Sequence, residues 1–165
     1  MSSTVSHGGT PEPTAGTRMS GDGVRAQVDP RGPRFAAAVT TVVLALALVL
    51  VGTTAGTVLI AWQTLVFALG ALVGLQAQPY GFVFRRLIRP RLAPPAELED
   101  AAPPRFAQAV GLGFLAVGLL AALLGITVVT TVAVAFALAA AFLNAAFDFC
   151  LGCEVFLLTR RLRRA

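Results

Sequence analysis

Two long stretches of this chain, Phe35 to Phe84 and Phe106 to Phe147, contain no Asp, Glu, Lys or Arg at all. A bilayer core about 30 Å thick is crossed by about 20 helical residues, so each stretch is long enough for two crossings and too long for one. A soluble fold is excluded, because a domain of this size leaves much of its surface in water and could not hide so much apolar chain. The reading is an all-α integral membrane protein whose four transmembrane helices form two tandem helical hairpins. Composition agrees: 13% of the 165 residues are charged, against about a quarter in soluble domains, and the mean hydropathy is +0.79.

All 13 basic residues are arginine. Arg18, Arg25, Arg31 and Arg34 precede the first stretch; Arg85, Arg86, Arg89, Arg91 and Arg105 lie between the two; Arg160, Arg161, Arg163 and Arg164 follow the second. The short turns inside the hairpins carry no charge. Basic residues are retained on the cytoplasmic face during insertion, so both termini and the central loop are expected there. The net charge of +5 and pI near 11.0 therefore report topology and inner-leaflet attraction. A nucleic-acid partner is not expected, since basic and aromatic residues are not interleaved as in a binding groove.

The chain divides into a tail over 1–33, a first hairpin with an interfacial segment over 34–90, a cytoplasmic loop over 91–104, and a second hairpin with a basic end over 105–165. The tail is rich in Ser, Thr, Gly and Pro, cannot repay the entropy of ordering and is expected to be disordered; His7 within it is a solvated residue. No A-x-A site follows the first apolar stretch, which is read as retained. Spans are expected near Ala36–Gly52, Thr57–Gln76, Phe106–Leu124 and Val128–Asp148, with turns at Gly52–Gly56 and Gly125–Thr127 where glycine accepts the positive φ that ends a helix.

The hairpins resemble one another. Pro33-Arg34-Phe35-Ala36-Ala37-Ala38-Val39 recurs as Pro104-Arg105-Phe106-Ala107-Gln108-Ala109-Val110, and Arg85-Arg86-Leu87-Ile88-Arg89 recurs as Arg160-Arg161-Leu162-Arg163-Arg164. A parallel internal repeat, related by an axis along the membrane normal, is the expectation. The stretches Phe82–Arg89 and Val155–Arg164 mix bulky apolar residues with arginine and are expected in the headgroup region. A straight helix from Val128 to Thr159 would overrun the bilayer, which calls for a break near Gly152. Small residues four apart, Ala133, Ala137, Ala141 and Ala145 on the fourth span and Gly70 with Gly74 on the second, are candidates for close backbone approach. Gln63, Thr64, Gln108 and Asn144 are expected to face the bundle interior, since an unpaired amide is costly in hydrocarbon.

The only two cysteines are Cys150 and Cys153. A CxxC spacing brings two sulfurs within bridging reach, so the pair can cycle between dithiol and disulfide or give two ligands to a metal. It also reads as two inert buried thiols. At the cytoplasmic edge, in a reducing compartment, a permanent structural disulfide is not expected. If the helix runs on, Glu154 lies one turn from Cys150 and is the better proton acceptor, while Asp148 points towards Asn144. If the helix restarts, Cys150 lies at a helix N-terminus whose partial positive charge lowers a thiol pKa. No histidine lies near the spans, and only a homo-oligomer could supply four thiolates; neither a metal nor a cofactor is expected. The first hairpin has Leu75 and Gln78 at the positions of the cysteines.

The segments Asp29-Pro30-Arg31-Gly32-Pro33-Arg34-Phe35, Glu99 to Gln108 and Phe149-Cys150-Leu151-Gly152-Cys153-Glu154 resemble the bacterial membrane family called domain of unknown function 4395. The resemblance implies a multi-pass protein of the bacterial cytoplasmic (inner) membrane, encoded near thioredoxin-like and sulfurtransferase-like proteins. The leading expectation is a thiol-redox or sulfur-transfer component rather than a stand-alone enzyme, with the bilayer and a soluble thioredoxin-like or sulfurtransferase-like protein as partners. The alternative is a small transporter, channel or membrane scaffold whose cysteines are structural.

Overall fold

The computed structural model of the chain describes residues 26–95 and 97–163. In chain order these form a two-residue strand β1 (Gln27–Val28), helix α1 (Arg31–Val49), helix α2 (Thr54–Ala68) extended by a π-helical turn over Leu69–Val73, and helix α3 (Pro79–Val83) extended by a second such turn over Phe84–Ile88. Strand β2 (Glu99–Asp100), helix α4 (Ala102–Leu123), helix α5 (Thr127–Phe147) and helix α6 (Leu151–Leu162) follow. Four of these helices are long and apolar enough to cross a membrane: Arg31–Val49, Thr54–Val73, Ala102–Leu123 and Thr127–Phe147.

Helices α1 and α4 begin several residues before the expected spans, and the reason is proline. Pro33 falls in the first turn of α1 and Pro103 and Pro104 in that of α4, where the first N–H groups have no intrahelical partner and proline sacrifices nothing. The two hairpin turns are tight. Gly52 (φ 85°) and Gly125 (φ 74°) take left-handed conformations, and Thr53 caps α2 by accepting the Gly56 N–H at 3.1 Å. Gly56 belongs to α2 rather than to the turn; a Cβ there would lie 2.2 Å from the Leu50 carbonyl oxygen.

Helix α1 lies chiefly against α5 and α2 against α4, with neighbours α1·α2 and α4·α5 completing a four-helix bundle. Its centre is Leu44, Ala47, Ile60, Phe67, Leu115, Val134 and Ala137. Outward, Val42, Leu46, Val117, Leu120, Val128 and Phe136 are exposed. A soluble monomer rarely shows so continuous an apolar surface, whereas lipid requires one.

Of the alanine stripe, Ala133 and Ala137 are buried, and a Cβ on Gly118 of α4 would come within 3.2 Å of that of Ala133. At Ala133 the stripe thus packs within its own hairpin, whereas Ala137 joins the core with Leu44 and Ala47 of α1. The Gly70–Gly74 pair does something else: Gly70 makes room for the side chains of Gln78 and Gln108, and Gly74 (φ 130°) ends the π turn.

Several polar groups inside the bundle are paired. The Gln63 amide donates to Thr40 Oγ1 at 3.1 Å, Tyr80 OH donates to Gln63 Oε1 at 2.9 Å, and Trp62 Nε1 donates to Tyr80 OH at 3.0 Å. Gln78 Nε2 donates to Gln108 Oε1 at 2.7 Å, and Thr64 Oγ1 donates to the Ile60 carbonyl at 2.7 Å.

One end of the bundle gathers the arginines. Arg105, at the start of α4, donates from Nε to Ala71 O and from Nη2 to Leu72 O, both at 2.9 Å. Arg34, at the start of α1, donates from Nε to Ala145 O at 3.4 Å and faces Asp148 at 3.6 Å. Each arginine therefore satisfies carbonyls at the C-terminal end of a helix in the other hairpin, where free carbonyls and dipole favour a cation. Phe35 and Phe106, one residue on, pack on Phe84 and Phe156 with ring centroids 5.9 Å and 5.6 Å apart. His7 and the tail as far as residue 25 lie outside the described residues. Within the rest of the stretch read as a tail, β1 pairs antiparallel with β2, Gln27 opposite Asp100 and Val28 opposite Glu99, and α1 already begins at Arg31.

Candidate functional site

The cysteines sit where α5 gives way to α6. The chain breaks within four residues of Gly152, as the span lengths suggested, and where the fourth span was expected to end. It breaks at Asp148, whose left-handed φ of 57° ends α5; aspartate is among the few residues that reach this conformation at small cost. Gly152 lies in the first turn of α6, where a Cβ would sit 2.6 Å from Cα and Cβ of Ala107. It is glycine because α6 lies directly on α4.

The helix restarts at Leu151 with Cys150 as its N-cap. Cys150 Sγ accepts the Cys153 backbone N–H at 3.3 Å, and its carbonyl accepts the Glu154 N–H at 3.1 Å. Of the two geometries the sequence left open, this is the one that places a sulfur against orphan N–H groups and the positive end of a helix dipole, both of which favour a thiolate. The two sulfurs are bonded to each other across a Cα–Cα separation of 5.2 Å, within the usual disulfide span. Both cysteines are half-buried.

The flanking carboxylates take different places. Asp148 faces Arg34 and, as the left-handed residue between α5 and α6, sets the corner. Glu154 is exposed in the first turn of α6, where its negative charge complements the dipole. Its carboxylate has no hydrogen-bond or ion-pair partner among the described residues. Among the described residues no group of three or more His, Cys, Asp or Glu side chains converges on a common point.

Beside Cys150 lies a cavity of about 280 Å³ between α1, α2, α4, α5 and α6. Its wall is mostly apolar, with Phe67, Phe114, Phe136 and Ala141 among the lining side chains, and it includes Thr40, Gln108, Asn144 and Cys150. Gln108 and Asn144 were expected inside the bundle; Thr40 and the three phenylalanines of the wall, and Tyr80 of the Gln63 network, were not singled out. A signal for Thr40 was present: it lies twelve residues before Gly52 and Gln63 eleven after it, so the hairpin brings them to one depth.

Fold and site together define a membrane-type four-helix bundle with a capped cysteine pair at its arginine-rich end. The chain belongs to the family described as Domain of unknown function (DUF4395), whose model matches residues 28–161. No curated protein and no solved structure matches it.

Proposed function

We propose that this protein is a membrane-anchored thiol-redox component in which Cys150 and Cys153 exchange electrons or sulfur with a soluble thioredoxin-like or sulfurtransferase-like protein. The observation that carries the reading is Cys150 at the N-cap of α6, its sulfur against the Cys153 amide and its partner sulfur in bonding range. In the reduced state the Cys150 thiolate attacks the partner's disulfide, a mixed disulfide forms and one partner thiolate leaves. The Cys153 thiolate then attacks Cys150 Sγ, the internal disulfide closes, and the second partner thiolate departs and takes up a proton. Two electrons have passed to the partner; the reverse sequence returns them. With a persulfide as partner, the first attack moves one sulfur to Cys150 and the second releases it as hydrosulfide.

The arginine-rich end faces the cytoplasm of a bacterium in this reading, as the charge asymmetry of insertion requires, with both termini and the central loop on that side. The two hairpins are copies of one unit; the paired roles of Arg34 with Arg105 and of Phe35 with Phe106 support this. Only the second copy carries thiols.

The test is trapping. Cys153→Ser should accumulate a mixed disulfide between Cys150 and a thioredoxin-like protein, and Cys150→Ser should accumulate none. Equal trapping by both variants, or by neither, refutes the proposal.

A further inference from the structure

The cavity beside Cys150 has features that exchange with a soluble protein does not require. None of its lining side chains is charged, which selects a neutral ligand, since a buried charge without a partner is heavily penalised. Its polar groups include free donors. Thr40 Oγ1 accepts from Gln63 and keeps its own O–H. Gln108 Oε1 accepts from Gln78, leaving the Nε2 protons free. The Asn144 amide, also in the wall, has no hydrogen-bond partner among the described residues. A ligand that satisfies this set carries carbonyl-type acceptors. Phe114 and Phe136, stacked at 5.8 Å, add an aromatic wall suited to a flat ring. These two residues are also 41% and 59% exposed on the outer surface, so the cavity reaches the face that meets lipid. At about 280 Å³ it is just below the roughly 300–1,000 Å³ of a drug-sized site: room for a ring, with an apolar tail left in the bilayer.

Neutral, planar, acceptor-bearing and lipid-soluble, placed against one sulfur of a dithiol: the geometry points to a membrane quinone as the oxidant of the Cys150–Cys153 pair. The inference rests on the thiol-redox reading and names the second substrate of that site. The reaction balances as dithiol plus quinone giving disulfide plus quinol. The two S–H bonds break, the S–S bond forms, and both electrons and both protons pass to the ring oxygens. Cys150, the cysteine that borders the cavity, delivers the electrons, and Cys153 closes the disulfide. A soluble dithiol protein would then re-reduce the pair and itself be oxidised.

The experiment uses the full chain in liposomes, reduced, freed of reductant and kept anaerobic, then mixed with a short-tailed benzoquinone. Quinol is followed by absorbance and remaining thiols by maleimide mass tagging. One quinone is expected to be reduced per chain, with both thiols lost together. Ala141→Phe, which fills the cavity, is expected to slow the reaction by about a hundredfold, the loss that follows when a ring of this size no longer binds. Asn144→Leu, which removes a donor at similar volume, is expected to slow it less, and circular dichroism of both variants checks the fold. A dithiol that the quinone leaves reduced overturns the inference, as does oxidation at an unchanged rate in folded Ala141→Phe. Trapping of a thioredoxin-like partner by Cys153→Ser is scored in parallel. If trapping succeeds and quinone reduction fails, only the quinone assignment falls; if trapping fails and quinone reduction holds, the soluble-partner reading falls instead.

Discussion

Gln63 is wholly enclosed at the centre of the bundle, and its amide ties three elements together. It donates to Thr40 of α1 and accepts from Tyr80 of α3, at 3.1 Å and 2.9 Å. Gln63→Leu keeps the volume and removes both bonds, leaving the buried Tyr80 hydroxyl without an acceptor. Each hydrogen bond contributes about 1 kcal/mol net in water-soluble proteins and roughly 0.6 kcal/mol between membrane helices. The stranded phenol adds about 1–3 kcal/mol, partly offset because leucine is easier to bury than an amide. A loss of about 2 kcal/mol follows. Tyr80→Phe should cost a similar amount, since Gln63 Oε1 then lacks its donor and Trp62 Nε1 its acceptor. Because the two residues share one bond, the double variant should be less destabilised than the sum of the singles by about 1 kcal/mol. The assay is unfolding in mixed micelles followed by circular dichroism, with midpoints converted to free energies. Additive losses, with a coupling indistinguishable from zero, would refute the account of this network.

Further consequences can be measured independently. Burial pushes the Tyr80 phenol above its ordinary 10.0, against the smaller opposing effect of the Trp62 hydrogen bond. The unfolded chain therefore loses this proton first, and stability should be constant below about pH 9 and fall as pH rises past 10; Tyr80→Phe should abolish the fall. Tyr80 is the only tyrosine, so phenolate absorbance reads it alone, and a normal titration would contradict its burial. Gly152→Ala places a methyl 2.6 Å from the Ala107 backbone; it should lift α6 from α4, cost about 1–3 kcal/mol and speed reduction of the Cys150–Cys153 disulfide by dithiothreitol. Arg105→Ala removes two carbonyl contacts at the end of α2 and should cost about 1–2 kcal/mol, with Lys restoring only part because it lacks the forked geometry. Arg34→Ala should cost less, since its ion pair with Asp148 is half-exposed; thermal melts in detergent rank the three.

Which parts of this molecule could be read from residues alone follows from how local their physics is. The absence of charge over Phe35–Phe84 and Phe106–Phe147 determines four apolar helices, because no other structure satisfies so many backbone groups in lipid. The turns at Gly52 and Gly125 follow from positive φ. Why Gly152 and Gly70 are glycine was not legible, because a glycine letter does not distinguish freedom of φ from lack of room. Gly152 yields to Ala107 and Gly70 to two glutamines, contacts between residues far apart in sequence that exist only once the helices have packed. The end of the fourth span at Asp148 was legible, but not that Asp148 itself turns the corner: aspartate is an uncommon left-handed residue and resembles a solvated charge in a string of letters. The cysteines were evident, but the choice between a continuous and a restarted helix depended on that corner. The cavity was not legible, since its wall comes from five helices and most of its residues are ordinary membrane apolar ones.

The central claim, that Cys150 and Cys153 form a working redox couple, is tested most directly by their state in growing cells. The chain has no other cysteine, so rapid acid quenching and alkylation with a heavy maleimide count its free thiols by mass. The account predicts a mixed population in which both thiols disappear together during an oxidant pulse and both return within the recovery period. A single fixed state, oxidised or reduced throughout, would contradict it.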